Sequence, residues 1–503
     1  MVQKSHQFHV LVHHLLVALS VAAIVHVLEH YRALNWLDSL MLRIASHASA
    51  GSGDSTLPAD MPVVLQIGDL LYEREFAQAS PLNRGKLGTL IGELANKGPR
   101  TLVVDIDLSP GPRGAGCPNT DQPAARGTEA EGQGPHVPLA TDSPCSEDQI
   151  ALNQLLAKLG NTPNMRLILA TPVPVAAPEL WREKAKWMAS LCGNAPPARG
   201  VQFAFVHTPL SQHEVLRFET RFPSLGPYAA WMERAQQTRS KLPCEYVRTN
   251  PDSAVFLQRQ SSPEALLEAE DFRGQRPFNA RFFGMLEYQT KTIGLLQAVA
   301  DLEAIDKKLP LSGRTVFFGG GYGSHDEFAT AFGTQNGVAL HAAAYYSMLH
   351  GVSKPRDWAA FAIDILIGIA MGYLFHASWS RYNRAAALAP LEAGAPAHWP
   401  SYFRARAWLM ANFALMLGLV VLLAYLSGWL LRSDLWVNPG PVIIGVFIKT
   451  ILASRAHIRH AQVDAEHSEA HALRPHHSLV QWVDFVLFLP FVIWAGLLLL
   501  FGH

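Results

Sequence analysis

Six side chains in this sequence have chemistry suited to holding a ligand: Asp69, Arg84, Asp105, Asp107, Asp326 and His341. Carboxylates and imidazole accept hydrogen bonds, titrate and ligate cations, while a guanidinium forks onto carboxylate or phosphate. A metal centre would draw on Asp69, Asp105, Asp107, His325, Asp326 or His341 as oxygen and imidazole ligands. These residues lie far apart in sequence and no HxH, HExxH or CxxC pattern links them, so no metal or other cofactor is assigned. No Walker loop, kinase or cyclase motif or nucleophile elbow is present either, and the chain is not expected to be an enzyme. The structural alternative is plain: Asp69 and Asp105 at strand ends cap turns or pair with Arg84, and Gly-rich turns are common connectors.

The elements that must position these groups follow from the apolar pattern. Met61–Ile67 is an apolar strand-like run ending at Gly68-Asp69, and Thr101–Asp107, TLVVDID, is a second that ends in aspartates. Leu82–Lys97 between them has helical spacing, so the three segments read as a βαβ unit with a parallel sheet. Arg166–Ala170, Val201–Val206 and Thr315–Phe318 add strands, the last before the turn GGGYGSHDEF. The expected domain is α/β, mostly parallel and three-layered. Ligands gather beyond the carboxyl ends of such strands, and those ends carry Asp69, Asp105, Asp107 and Gly319–Gly323. Ser109–Ser146 and roughly Leu210–Arg276 read as insertions or surface loops.

Hydropathy sets the larger plan. Apolar stretches at about Phe8–Leu28, Trp358–His376, Trp408–Leu431, Val437–Ala453 and Leu479–Phe501 read as membrane spans, the first long enough to cross about 30 Å of hydrocarbon. The expected organisation is an N-terminal anchor over 1–30, an α/β domain over 31–356 with insertions near 109–146 and 210–276, and a four-span region over 357–503. The fold class is thus an extracytoplasmic α/β domain plus a helical bundle of five spans. Arg381, Arg384, Arg404 and Arg406 fill one interspan loop and Arg455, Arg459 and Arg474 another, which places both loops and the N-terminus in the cytoplasm, and the C-terminus outside. With 41 basic and 41 acidic residues in balance, no nucleic-acid footprint is evident.

Cys117, Cys145, Cys192 and Cys244 all fall in the segment assigned to the outside, where an even count suggests disulfides. Of three connectivities, Cys117 with Cys145 and Cys192 with Cys244 is preferred. Within the expected spans, Asp364, Lys449 and Asp484 are costly unless paired or facing a bundle. Lys449 and Asp484 share a cytoplasm-side depth and are expected to pair; Asp364 is left to meet another subunit, with interfacial snorkelling as the alternative for all three. His13 and His26 are spaced as haem ligands could be, but no second span offers matching histidines, so packing is the default. The His-rich loop Arg455–His477 reads as a solvated polar loop.

Several pieces occur together that resemble the CHASE type-two sensor domain, an extracellular module of many bacterial receptors: VVLQIGD (Val63–Asp69), PLNRGKLGTLIGELANKG (Pro81–Gly98) with its Arg84, TLVVDIDLSPGP (Thr101–Pro112), VFFGGGYGSHDEFATAFG (Val316–Gly333) and GVALHAAAYYSMLHG (Gly337–Gly351). The resemblance covers roughly residues 8 to 453. It implies a bacterial inner-membrane protein with a periplasmic sensory domain, one span before it and three after, followed by a cytoplasmic output domain. Here the sequence departs from the pattern, because the fourth span is followed by about 25 residues and a fifth span.

The expected function is a membrane-anchored sensor or signal-relay subunit that passes a ligand or envelope signal to a separate partner. Its expected partners are the lipid bilayer, a small-molecule ligand, and another protein or a second copy held through the membrane region. A structural or docking subunit of an envelope complex is the alternative from a different class. A channel would need more polar residues along the spans than are present.

Overall fold

The computed structural model describes residues 35–49, 57–110, 147–172, 200–206, 214–219, 224–234, 275–323, 326–352 and 399–438, with isolated positions between them. Two compact units divide the chain, one of residues 50–352 and one of residues 1–49 with 353–503.

The larger unit is built on a five-stranded parallel sheet. Its strands are β1 (Val63–Ile67), β2 (Thr101–Asp105), β3 (Arg166–Pro172), β4 (Val201–Val206) and β7 (Thr315–Gly320), in the order β1-β7-β2-β3-β4. The short pairs β5 (Arg217–Glu219) with β6 (Gln275–Pro277) and β8 (Glu327–Thr330) with β9 (Gly333–Asn336) are antiparallel. The strands expected from sequence all form, but the first two are not neighbours. β7, the last sheet strand in the chain, inserts between β1 and β2, pairing Val63 with Val316 on one side and Thr101 with Thr315 on the other. A chain segment more than 200 residues away takes this interior place because the Val316–Phe318 run of β7 is apolar and tolerates burial on both faces.

Alternation along the strands sorts side chains to two faces. Val63, Leu65, Ile67, Leu102, Val104, Leu167, Leu169, Val316 and Phe318 enter one core. That core is closed by α2 (Asp69–Phe76), α3 (Arg84–Asn96), α4 (Glu147–Gly160) and α7 (Asp301–Lys308). Val64, Val103, Ile168, Ala170, Ala204 and Phe317 enter the other, under α5 (Leu225–Arg234), α6 (Ala280–Ile293) and α8 (Gly337–Leu349). This is the three-layer arrangement expected of a buried parallel sheet. α3 starts where Asn83 caps it, its side chain accepting from the Lys86 amide at 3.0 Å, and it buries Leu87, Leu90, Ile91 and Leu94 at helical spacing.

α8 is apolar all round, and every residue from Gly337 to Met348 is buried. Such a helix must be enclosed on all sides. Part of the enclosure comes from α5, which lies inside the stretch 210–276 that sequence pattern assigns to a surface insertion. Its apolar run LGPYAAWM is short and flanked by polar residues, so periodicity does not reveal it. Packing does: Tyr228, Ala229 and Ala230 are buried, and Gly226 meets the backbone of α8 at His341 so closely that a side chain there has no room.

The exposed edge of β1 is covered. Gln289 of α6 accepts from the Val64 amide at 2.8 Å and donates to the Pro62 carbonyl at 3.1 Å, while Leu296 bonds Gln66 and Gly68 through its backbone. Satisfying those groups removes a template for edge-to-edge pairing.

In the smaller unit the described elements are α1 (Asn35–Ser49) and α9 (Trp399–Arg432). α9 contains the third expected span. Among the described residues no helix is long and apolar enough to cross a membrane. The first, fourth and fifth expected spans lie outside the described residues apart from a few positions, as do Asp364, Lys449 and Asp484, the four cysteines Cys117, Cys145, Cys192 and Cys244, the insertion beyond Pro110, His13, His26, and the His-rich loop.

Candidate functional site

Strand parity decides which residues at the carboxyl end of the sheet face α8. Gln66, Asp105 and Gly319 follow Val64, Val103 and Phe317 by two residues, so they lie on the α8 face, just beyond the apolar core. Asp105 and Gly319 are register partners. A Cβ on Gly319 would stand 3.2 Å from the Asp105 Cβ and 2.8 Å from that of Val338, so glycine here is what lets the start of α8 settle onto the strand ends. That close approach carries His341, one turn into α8, to the Asp105 carboxylate, with Nε2 and Oδ2 3.9 Å apart and the two side chains 3 % and 7 % exposed.

Burial pushes the Asp105 carboxyl up to about 7, because an ionised carboxylate loses its hydration there. Asp326, in the turn before β8, completes the group. Its carboxylate rests on the α-carbon of Gly337, where a Cβ would meet Oδ1 at 2.6 Å, and its backbone carbonyl accepts from the Gly337 amide at 3.1 Å. Partial burial and then the charge of Asp105 push Asp326 up to about 6, against opposing pulls from His341 and the nearby Gly337 amide. A carboxylate at this place also meets the positive end of the α8 dipole.

Around these three groups stand two amides and two phenols. Gln66 and Asn336 both crowd Gly321, their side chains within 3.3 Å of where its Cβ would lie. Tyr72 of α2 stacks on Tyr322 with ring centroids 3.8 Å apart, and burial raises the Tyr322 hydroxyl above its ordinary range. Asp69 accepts from the Gly323 amide at 3.3 Å, fixing the turn against the start of α2. The αL conformation of Gly323, φ 66°, suits that turn to glycine.

Of the six residues singled out from sequence, then, Asp105, Asp326 and His341 form one cluster and Asp69 holds the adjacent turn. Arg84 and Asp107 do something else. Arg84 donates to the backbone carbonyls of Asp107 and Ser109, both at 2.9 Å, and pairs with neither Asp69 nor Asp105 among the described contacts. Asp107 accepts from the Ser109 amide and hydroxyl and pairs with Lys184. Arg84 and Asp107 therefore clamp the segment leaving β2. The reason is parity again: two residues past Asp105 the chain has left the strand, and Asp107 is exposed. His325 lies outside the described residues.

Gln66, Asn336, Gly337, Tyr72 and Tyr322 were missed at the level of sequence. Gln66 carried a usable signal, being the one polar residue in an otherwise apolar strand at the register of Asp105 and Gly319. Asn336 and Gly337 carried none, since their place depends on the β8–β9 hairpin folding back. Among the described residues no group of three His, Cys, Asp or Glu side chains is arranged to hold a metal ion.

A second polar cluster stabilises the opposite end of α8. Glu233 of α5 pairs with Arg100 and accepts from the hydroxyls of Tyr345 and, at 3.1 Å, Thr315. The Tyr345 and Thr315 hydroxyl oxygens also lie 3.0 Å apart, and burial together with Glu233 raises the Tyr345 hydroxyl far above the usual phenol range. The helix is thus held by ionisable groups at both ends of the sheet, with an apolar stretch between.

No curated relative and no solved structure matches the chain. The model of one family does, the CHASE2 domain, over residues 14–375, a span that takes in the sheet, the Asp105 cluster and α8. The chain belongs to the CHASE2 family of sensory domains.

Proposed function

We propose that this protein is a membrane-anchored, non-enzymatic sensor whose α/β domain lies on the periplasmic side of a bacterial inner membrane and reports to a separate protein partner through five spans. The observation that carries this reading is the position of α8. Its first turn holds His341 and receives Asp326 at the carboxyl edge of the sheet, and nine residues after its last residue, Leu349, the sequence enters the second expected span. A change in what the cluster binds alters the forces on one end of a buried, rigid helix, and the other end leads to the membrane.

Differential affinity of a ligand for two placements of α8 supplies the driving free energy, since a ligand bound equally well by both shifts nothing. The sensory character of the CHASE2 family supports the reading. So do the apolar spans and the arginine-rich loops between them.

Native mass spectrometry of the full chain, extracted gently from its own membrane, tests it. A bound small molecule or a co-purifying signalling partner is expected, with the small molecule lost in Asp105→Asn. A constant stoichiometric assembly with no small molecule, unaltered by that substitution, would refute the sensor and favour a docking subunit.

A further inference from the structure

Asp105, Asp326 and His341 come from three elements that meet only in the folded domain, and titratable groups held this close take up protons as a unit. We propose that this cluster is a proton-binding site through which the sensory domain registers acidification of the compartment it faces, the protons bound setting how the first turn of α8 is held. The proposal rests on the sensory reading above and names the regulation of that same site.

Among the described residues, the titratable groups that face the cluster come from few elements. From α8 the facing group is His341; from the turn after β7 they are Asp326 and Tyr322; β7 presents only Gly319; α2 contributes Tyr72, stacked on Tyr322, and Asp69, bonded to Gly323. The cations nearby are engaged elsewhere, Lys184 with the Asp107 carboxylate and Arg84 with the carbonyls of Asp107 and Ser109. Two carboxylates near one imidazole therefore face each other with no described lysine or arginine between them.

As the pH falls, Asp105 and Asp326, pushed up to about 7 and about 6, take up protons as a coupled pair, because neutralising Asp105 removes a charge that raises Asp326. When Asp326 is neutralised it ceases to be an anion at the α8 N-terminus, so its attraction for the Gly337 amide and for the positive end of the helix weakens. A moderate fall in pH thus alters the start of the helix.

Infrared difference titration of the full chain in detergent reads the carboxyl groups directly, and amide exchange over residues 337–341, corrected for its intrinsic pH dependence, reads the helix. Two protonated-carboxyl bands are expected in the wild type, one lost in Asp105→Asn and the other in Asp326→Asn. Asp105→Asn is expected to move the Asp326 midpoint downward, and exchange over residues 337–341 should rise across the same range in the wild type but not in Asp326→Asn. The proposal is overturned if neither carboxyl titrates between about pH 5 and 8, if Asp105→Asn leaves the Asp326 midpoint unmoved, or if exchange ignores the titration. Failure of the relay reading shows separately, as a native complex without a partner protein while the carboxyl titration persists.

Discussion

Replacing Asp105 by asparagine keeps the shape of the side chain and removes its charge, and its effect on stability can be worked out in advance. Burial pushes the carboxyl up to about 7 in the folded domain, against 3.8 for an aspartate in water. At about 1.4 kcal/mol for each tenfold change in proton affinity, ionising it in place costs the folded state about 4 kcal/mol. The sign follows from proton linkage. The folded pKa is the higher, so between about pH 4 and 7 the folded state binds more protons than the unfolded chain, and stability falls as pH rises through that window and levels off above it. Asparagine does not ionise, so the variant escapes the loss. Near pH 4 the two proteins should melt together, and near pH 8 the variant should be the more stable by about 4 kcal/mol, roughly 8 °C in melting temperature. The assay is thermal unfolding of the full chain in detergent across that range. Trp187 is a convenient reporter because it is buried in the sheet core and bonded to Asn153 at 3.0 Å. A variant less stable than the wild type near pH 8, or a difference that does not vary with pH, would refute the reasoning.

Gly337→Ala sets helix propensity against a clash, since the new methyl meets Asp326 at 2.6 Å; the exposed end of that carboxylate can swing outward, so stability should change by no more than about 1 kcal/mol while the Asp326 midpoint falls. Infrared titration checks the midpoint, and a large loss of stability would show that Asp326 is held more firmly than argued. Tyr345→Phe deletes the hydroxyl that joins Glu233 to Thr315 and should cost about 1–3 kcal/mol in denaturant unfolding with the Asp105 titration unchanged. Gly226→Val pushes a side chain into the α8 backbone at His341 and should destabilise by about 1–3 kcal/mol or more; tolerance of it would mean that α5 and α8 do not pack as described. A non-reducing mass map should find Cys117 linked to Cys145 and Cys192 to Cys244, and four free thiols would remove that pairing.

The sequence by itself determined the strands, the three-layer α/β class and the resemblance to CHASE2 domains, because these rest on local runs: VVLQI, TLVVD and TVFFGG are apolar enough to be buried on both faces wherever the chain places them. It also singled out Asp105, at the end of a buried strand, and Asp326 and His341, whose side chains could hold a ligand. What it could not determine was anything set by the order of strands. That β7 lies between β1 and β2 depends on a pairing across more than 200 residues, and only that pairing brings Gly319 to Asp105 and, through it, α8 and His341. Arg84 shows the same limit from the other side. Near Asp105 in the expected fold and oppositely charged, it invited an ion pair, yet tertiary structure aims it at two carbonyls instead. α5 was hidden for a related reason: its small residues Gly226, Ala229 and Ala230 matter for how closely two helices approach, a property that exists only once the second helix is there. Local sequence fixes what an element is, whereas the charge state and partners of a side chain depend on which distant elements exclude water from it.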